Sequence, residues 1–200
     1  MKEKFIGRLD MNFVAIDFET AHGNMPCEIG VCVVRNGVVS ETKSWLIKPQ
    51  CFPYMNRWNQ QVHGISSDMV KDAETFDTLW YSQIRDYINK ELIVAHNAPF
   101  DIGVLRATLS HYDLEMPDFR YMCSCQLSRR VWREFPRHSL GELCGRMGIG
   151  FNHHRAGDDA EACAKVVIKA SERIEVASIA DLISFTGTPL KSFKPDIVNR

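Results

Sequence analysis

Residues 13–47 read FVAIDFETAHGNMPCEIGVCVVRNGVVSETKSWLI, and they set the class of the fold. Phe13–Ile16 is a short apolar run that ends in Asp17, the pattern of a buried strand. Glu28–Val34 (EIGVCVV) and residues 38–47 (VVSETKSWLI) are two more β-rich runs, split by Asn36-Gly37. Asn-Gly between such runs favours a two-residue hairpin turn, because both positions accept positive φ. The chain therefore opens with three strands, the second and third antiparallel.

Downstream, residues 55–89 read as short helices and loops, with Ser66 as an N-cap and a longer helix near 76–89. Leu92–Ala95 (LIVA) is a fourth, buried strand. Asn97 then caps a helix that carries Pro99 in its first turn, where a missing N–H costs little. Ile102, Leu105 and Leu109 follow at helical spacing. A fifth short strand covers 119–122. Helices are expected near 124–133 and 139–147, the second starting at Ser139 with Glu142 three residues on, a capping box. A long helix covers roughly 157–174. The order β-β-β-α-β-α-β-α-α is an α/β pattern with a mixed five-stranded sheet flanked by helices: a meander, then crossover units. Residues 1–184 make one domain. Residues 185–200 (FTGTPLKSFKPDIVNR) lose periodicity, carry two prolines and a basic excess, and read as a C-terminal tail.

With 200 residues, 45% hydrophobic and 24% charged, the chain suits one globular domain that can bury its own core. A net charge of −1 excludes a protein that holds nucleic acid by charge alone. Any such binding must be local, through metal ions and a small basic rim drawn from Arg57, Arg129, Arg130, Arg133 and Arg137. No run of 18 apolar residues occurs, so no membrane helix is expected. The polar start MKEKFIGRLD lacks the apolar centre of a signal peptide. Seven cysteines (Cys27, Cys32, Cys51, Cys123, Cys125, Cys144 and Cys163) form no C-x-x-C pair. Free thiols in a reducing cytoplasm are expected. Cys123, Cys125 and the His153-His154 pair match no structural zinc spacing.

Three acidic positions carry the chemistry. Asp17-x-Glu19 is uninformative as a bare pattern in a chain with 25 acidic residues. Its place at a strand end matters more, because period two puts both side chains on one face. Two adjacent carboxylates repel unless a cation sits between them, and hard oxygen ligands suit Mg²⁺ or Mn²⁺. His96–Asp101 (HNAPFD) follows the LIVA strand directly, and Asp101 falls in the first turn of a helix, where the macrodipole favours a carboxylate. In His153–Val167 (HHRAGDDAEACAKVV), two histidines precede two aspartates at equal offsets. Helix phase chooses between them: Asp159, Cys163, Val166 and Val167 share the core-facing side, so Asp159 is favoured over Asp158, and His154 goes with it. An imidazole there suits a base that takes a proton from water. Together these positions describe a metal-assisted hydrolase.

FVAIDFET, HNAPFD and HRAGDDAEA resemble the three motifs of the DEDDh (DnaQ-like) 3′–5′ exonucleases, a family that includes the proofreading epsilon subunit of bacterial DNA polymerase III and ribonuclease T. The resemblance spans about residues 12–170. It extends to EIG at Glu28–Gly30, VHGIS at Val62–Ser66 and the stretch from Leu127 to Cys144. It implies a ribonuclease H-like fold and two cations per site, about 3.5–4 Å apart. Asp17 would bridge both ions, Glu19 and Asp159 would hold the water-activating one, Asp101 the second, and His154 would be the general base. Thr20, His63, Ile65, Asn97 and Phe100 would contact the terminal nucleotides, the HGI loop stacking or wedging at the 3′ end. The stretch after Glu19, TAHGNMPCEIG, departs from the family by lacking its Gly-Leu loop.

The implied activity is hydrolysis from the 3′ end of single-stranded or frayed DNA to nucleoside 5′-monophosphates, in proofreading or repair. RNA is the alternative substrate, since the motifs are shared. A non-catalytic module would be expected to have lost a carboxylate, and a metal phosphatase has no support beyond the metal site. A polymerase partner would be a separate chain, contacted through Phe185, Leu190 and Phe193 of the tail.

Overall fold

A computed structural model of the chain describes residues 10–150 and 152–194. Strands β1 (Phe13–His22), β2 (Met25–Arg35) and β3 (Val38–Leu46) form the expected meander. Asn36 (φ 52°) and Gly37 (φ 74°) make the tight turn between β2 and β3. Strands β4 (Leu92–Ala95) and β5 (Phe119–Cys123) extend the sheet in parallel with β1, so the sheet is mixed. The helices are α1 (Arg57–His63), α2 (Ser67–Val70), α3 (Phe76–Leu79), α4 (Arg85–Ile88), α5 (Pro99–His111), α6 (Ser124–Val131), α7 (Leu140–Met147), α8 (Ala156–Arg173) and α9 (Ile179–Thr186). A π-helical turn, Trp80–Ile84, joins α3 to α4 and makes the long helix expected near 76–89 continuous.

Among the described residues the sheet has six strands rather than the five expected, in the order β3-β2-β1-β4-β5-β6. The sixth, β6 (Lys191–Phe193), lies in the stretch read as a tail and pairs antiparallel with β5, Phe193 opposite Phe119. Three residues with one apolar side chain leave no periodic signal, and the strand exists because the β5 edge is there to pair with. Phe193 is fully buried and stacks on Phe119 at 4.6 Å with the Arg106 guanidinium 4.4 Å over its ring. Residues 195–200 lie outside the described residues. Phe193→Ala is expected to cost about 3–5 kcal/mol of stability, read as a lower midpoint in urea; an unchanged midpoint would show that β6 is not part of the core.

Two layers cover the sheet, and β1 shows how sequence period two assigns them. Val14, Ile16 and Phe18 join Ile102, Val104 and Leu105 of α5 in one buried cluster. Phe13 and Ala15 join Ala160, Cys163 and Val167 of α8 in the other. Asp17 and Glu19 continue the α8 side past the end of the apolar run. Since Ala15 is level with Val94, β1 outruns β4. The carboxylates thus stand beyond the carboxyl end of β4, where ligand sites gather in such sheets.

Local signals shifted in three places. Ser139 is the N-cap of α7 but makes no capping bond, and Glu142 pairs with Arg146 at 2.7 Å instead. Ser66 precedes α2 without a side-chain cap. Asn97 does not cap α5: it adopts φ 68°, and Ala98 takes the cap position. All seven cysteines are unpaired. Among the described residues no helix is long and apolar enough to cross a membrane.

Candidate active site

Three carboxylates, Asp17, Glu19 and Asp159, line a cleft of about 500 Å³, and a fourth, Asp101, is buried close enough to Asp17 for their charges to interact. The cleft lining also includes Phe18, His96, Asn97, Phe100, Arg129, His138, His153 and His154. Asp17 and Glu19 come from β1, Asp101 from the first turn of α5 and Asp159 from the first turn of α8. One oxygen from each of Asp17, Glu19 and Asp159 lies within 4.8 Å of the others.

Asp101 is 1% exposed. Its Oδ1 accepts the Phe18 N–H at 3.0 Å, a donor that β4 is too short to use, and its Oδ2 is buried with no partner. A carboxylate oxygen left unpaired in the interior is costly and calls for a cation. Burial, and then the charges of Asp101, Asp159, Glu19 and Glu28, push the Asp17 carboxyl well above the usual range. Burial and the Asp159 charge raise Glu19 to about 7. Burial raises Asp101 to about 8. These groups repel one another when ionised, and hard, convergent oxygens of this kind fit a divalent cation.

Asp159 is 3% exposed, whereas Asp158 is half-buried and borders a separate surface hollow with Asn152 and Lys165. Helix phase therefore put Asp159 on the buried side of α8 and Asp158 toward the surface, as the structure has them. The pairing with histidine is shared rather than exclusive. The His153 Nδ1 is 3.0 Å from Asp159 Oδ1, and the His154 backbone N–H donates to Asp159 Oδ2 at 2.7 Å. The His154 imidazole reaches the other way, Nδ1 lying 4.0 Å from Glu19 Oε1. Burial and the neighbouring His153 lower its pKa, which keeps the ring neutral and able to accept a proton.

The remaining expected contacts divide. Phe100, 43% exposed, and Asn97 line the cleft, and Thr20 follows Glu19 directly but is buried. His63 and Ile65 do not face the cleft. Ile65 is fully buried with Met55 and Val70 in a third apolar cluster. His63, 6% exposed, ties the HGI loop to β1, one ring nitrogen donating to the Thr20 carbonyl at 3.2 Å and the other accepting the Ile65 N–H. Of the arginines proposed as a rim, Arg129 borders the cleft. Phe185 is exposed, but Phe193 is buried and unavailable to a partner.

Two features escaped the sequence reading. Glu28, 2% exposed, sits opposite Glu19 in the β1–β2 register and accepts the Ala156 N–H at 3.2 Å, satisfying the first turn of α8 in place of a local cap. The signal was present in EIG but could not be interpreted without knowing that α8 packs there. His96, the first residue of the second motif, is bonded at Nδ1 to Ser124 Oγ (2.8 Å) and at Nε2 to the His138 carbonyl (2.9 Å). Ser124 in turn lies 3.2 Å from the Cys163 sulfur, one helical turn beyond Asp159.

The family model for exonucleases of the RNase T type matches residues 14–167, a span that contains all four carboxylates and both histidines. The chain belongs to this exonuclease family. The 3′-5′ exonuclease DinG of Bacillus subtilis (strain 168) is 29% identical over 169 residues, covering 81% of this chain and 18% of that protein. The PolC-type DNA polymerase III of Thermotoga maritima is 29% identical over 182 residues, covering 86% of this chain and 13% of the polymerase. The chain thus spans less than a third of the length of these curated relatives. Exonuclease X, solved in complex with 5′ overhanging duplex DNA, aligns with a TM-score of 0.67 at 25% identity, covering 84% of this chain and 98% of that one. Exonuclease I shares the fold at a TM-score of 0.72. The RNase T exonuclease family thus accounts for both the sheet and the acidic cleft.

Proposed function

We propose that the chain is a 3′–5′ exonuclease that uses Mg²⁺ or Mn²⁺ to remove nucleoside 5′-monophosphates from single-stranded or frayed DNA ends. The convergence of Asp17, Glu19, Asp101 and Asp159, with an unpaired Asp101 oxygen, carries this reading. Asp17, Glu19 and Asp159 would hold one ion, and Asp17 with Asp101 the other. When bound, divalent ions there would offset the phosphate charge and lower the pKa of water.

The chain's own groups supply the rest. The neutral His154 imidazole accepts the proton that water loses on attacking phosphorus. Its short reach to Glu19 Oε1 then stabilises the imidazolium that forms. His153 and the His154 N–H hold both Asp159 oxygens, which fixes that carboxylate's orientation. Arg129, at the cleft margin, is positioned to meet backbone phosphates. Phe100 offers a half-exposed ring for a terminal base.

DNA is the substrate favoured by the named relatives, which include a DinG exonuclease and a PolC-type DNA polymerase, and by Exonuclease X with its DNA. Phe185, 73% exposed, and Leu190, half-buried, are the remaining tail residues that a partner such as a polymerase subunit could contact. The test uses 5′-labelled DNA and RNA oligonucleotides of one sequence, with Mg²⁺, Mn²⁺ or EDTA, beside Asp101→Asn. A metal-dependent ladder shortening from the 3′ end, faster on DNA and absent in the variant, is expected. A faster RNA ladder would reassign the substrate, and no ladder with either metal would remove the activity.

A further inference from the structure

Adjacent residues on an extended chain point to opposite sides, and on a helix they do not face one another. His153 and His154 nevertheless stack, with ring centroids 3.8 Å apart and planes 12° from parallel. The backbone makes this possible at His154, which takes φ 69°, a left-handed conformation that is unfavourable for non-glycine residues. The result is two imidazoles side by side at the cleft mouth, their side chains 47% and 39% exposed. A single base would need only one of them.

Ligand atoms of His153, His154 and Asp159 lie within 4.8 Å of one another. The His153 Nδ1 is 3.0 Å from Asp159 Oδ1, and the His154 Nδ1 is 4.0 Å from Glu19 Oε1. A tetrahedral ion with bonds of about 2.0–2.1 Å separates its ligand atoms by about 3.3 Å. The His153–Asp159 distance is close to that value, so His153, His154 and Asp159 can offer two nitrogens and one oxygen to such an ion, with water completing the shell. Imidazole nitrogens favour Zn²⁺ and its neighbours in the transition series over Mg²⁺, which prefers oxygen and octahedral geometry.

We propose that His153 and His154, with Asp159, form a second metal site selective for Zn²⁺-class ions, and that filling it switches hydrolysis off. The inhibitory half rests on the exonuclease reading given above; the binding half does not. The two metal arrangements share Asp159, so they compete. An ion held by the histidines takes the lone pair of His154 and draws Asp159 away from Asp17 and Glu19. Because the shared oxygens serve either set, the cleft responds to which ion is abundant rather than only to whether one is present. Cys123 and Cys125 have no part in this site: among the described residues, the histidines group with Asp159 and not with a thiol.

Two measurements on the full chain test this. In the first, hydrolysis of a labelled oligonucleotide at saturating Mg²⁺ is followed as Zn²⁺ is added. Each protein is scored by its own ratio of rates with and without Zn²⁺, so a change in basal rate does not enter. The wild type is expected to lose ten-fold or more. His153→Asn, which keeps a side-chain N–H for Asp159 but offers no imidazole, is expected to lose less than two-fold. Equal loss in both proteins would mean that Zn²⁺ merely displaces Mg²⁺ from the carboxylates, and would overturn the proposal, as would an insensitive wild type. In the second, Co²⁺ alone is titrated into metal-free protein and its visible absorption recorded. A strong four-coordinate band that His153→Asn abolishes supports the site even if no nuclease activity is found. Identical spectra for the two proteins would refute it independently of the enzyme assay.

Discussion

Asp17→Asn is expected to abolish hydrolysis while making the metal-free protein more stable. The rate should fall roughly 10³-fold or more, equivalent to about 4 kcal/mol of lost transition-state stabilisation. Stability moves the other way because the ionised Asp17 carboxylate is buried among Asp101, Asp159, Glu19 and Glu28. The native state without metal keeps protons on this cluster: Glu19 titrates at about 7 and Asp101 at about 8. The unfolded chain releases the same protons near pH 4. Above that pH the native state binds more protons than the unfolded one, so stability falls as pH rises, up to the folded values near 7–8. In EDTA the wild type should therefore melt at progressively lower temperature from about pH 5 to pH 8. Asp17→Asn should melt higher at pH 8 and with a shallower slope. Added Mg²⁺ or Mn²⁺ should raise the wild-type melting temperature and flatten its pH dependence, with little effect on the variant. A variant that melts no higher than the wild type in EDTA would show that the carboxylates do not repel as described.

Gly30→Ala should be nearly as damaging to activity, although no part of Gly30 enters the cleft. A methyl group there would fall inside the Ala156 carbonyl and against the Gly157 nitrogen, both backbone atoms of the first turn of α8. No side chain can rotate away to make room, so the helix must retreat. Overpacking of ordinary cores costs about 1–3 kcal/mol, and a backbone-on-backbone clash belongs at the upper end. The helix end that moves carries Asp159, and its first N–H bonds to Glu28 from the same strand. Expected results are a lower melting temperature, a fall in kcat larger than any change in KM, and a smaller stabilisation by Mn²⁺. A variant with wild-type kcat and metal response would mean that α8 tolerates displacement without moving Asp159.

Much of this was readable in the chain because it depends on local pattern. The apolar run ending at Asp17 gave the strand and its rim, and Asn36-Gly37 gave the hairpin. The phase of α8 separated Asp159 from Asp158 with no structural help. Failures arose where tertiary neighbours supply the partner. β6 has no pattern of its own and is made by the β5 edge. Asn97, read both as a cap and as a nucleotide contact, lines the cleft without capping α5, while Ile65, read as a nucleotide contact, is buried against Met55 and Val70. Glu28 was visible only as part of EIG, since its partner N–H lies 128 residues away.

The bonds around His96 also limit the cleft's supply of mobile protons. The His138 carbonyl can only accept, so His96 must carry its hydrogen on Nε2 and present Nδ1 as a lone pair. Ser124 spends its hydroxyl hydrogen on that lone pair, which leaves the Cys163 thiol to donate to Ser124. Ser128 gives its own hydrogen to the Cys125 carbonyl, so His138 must donate to it from Nδ1. Burial holds the His96 ring neutral down to about pH 4. Its tautomer is therefore locked at any pH at which the protein would work. Of the four imidazoles bordering the cleft, His96 is structural wiring, and the proton-accepting part proposed above is left to His154.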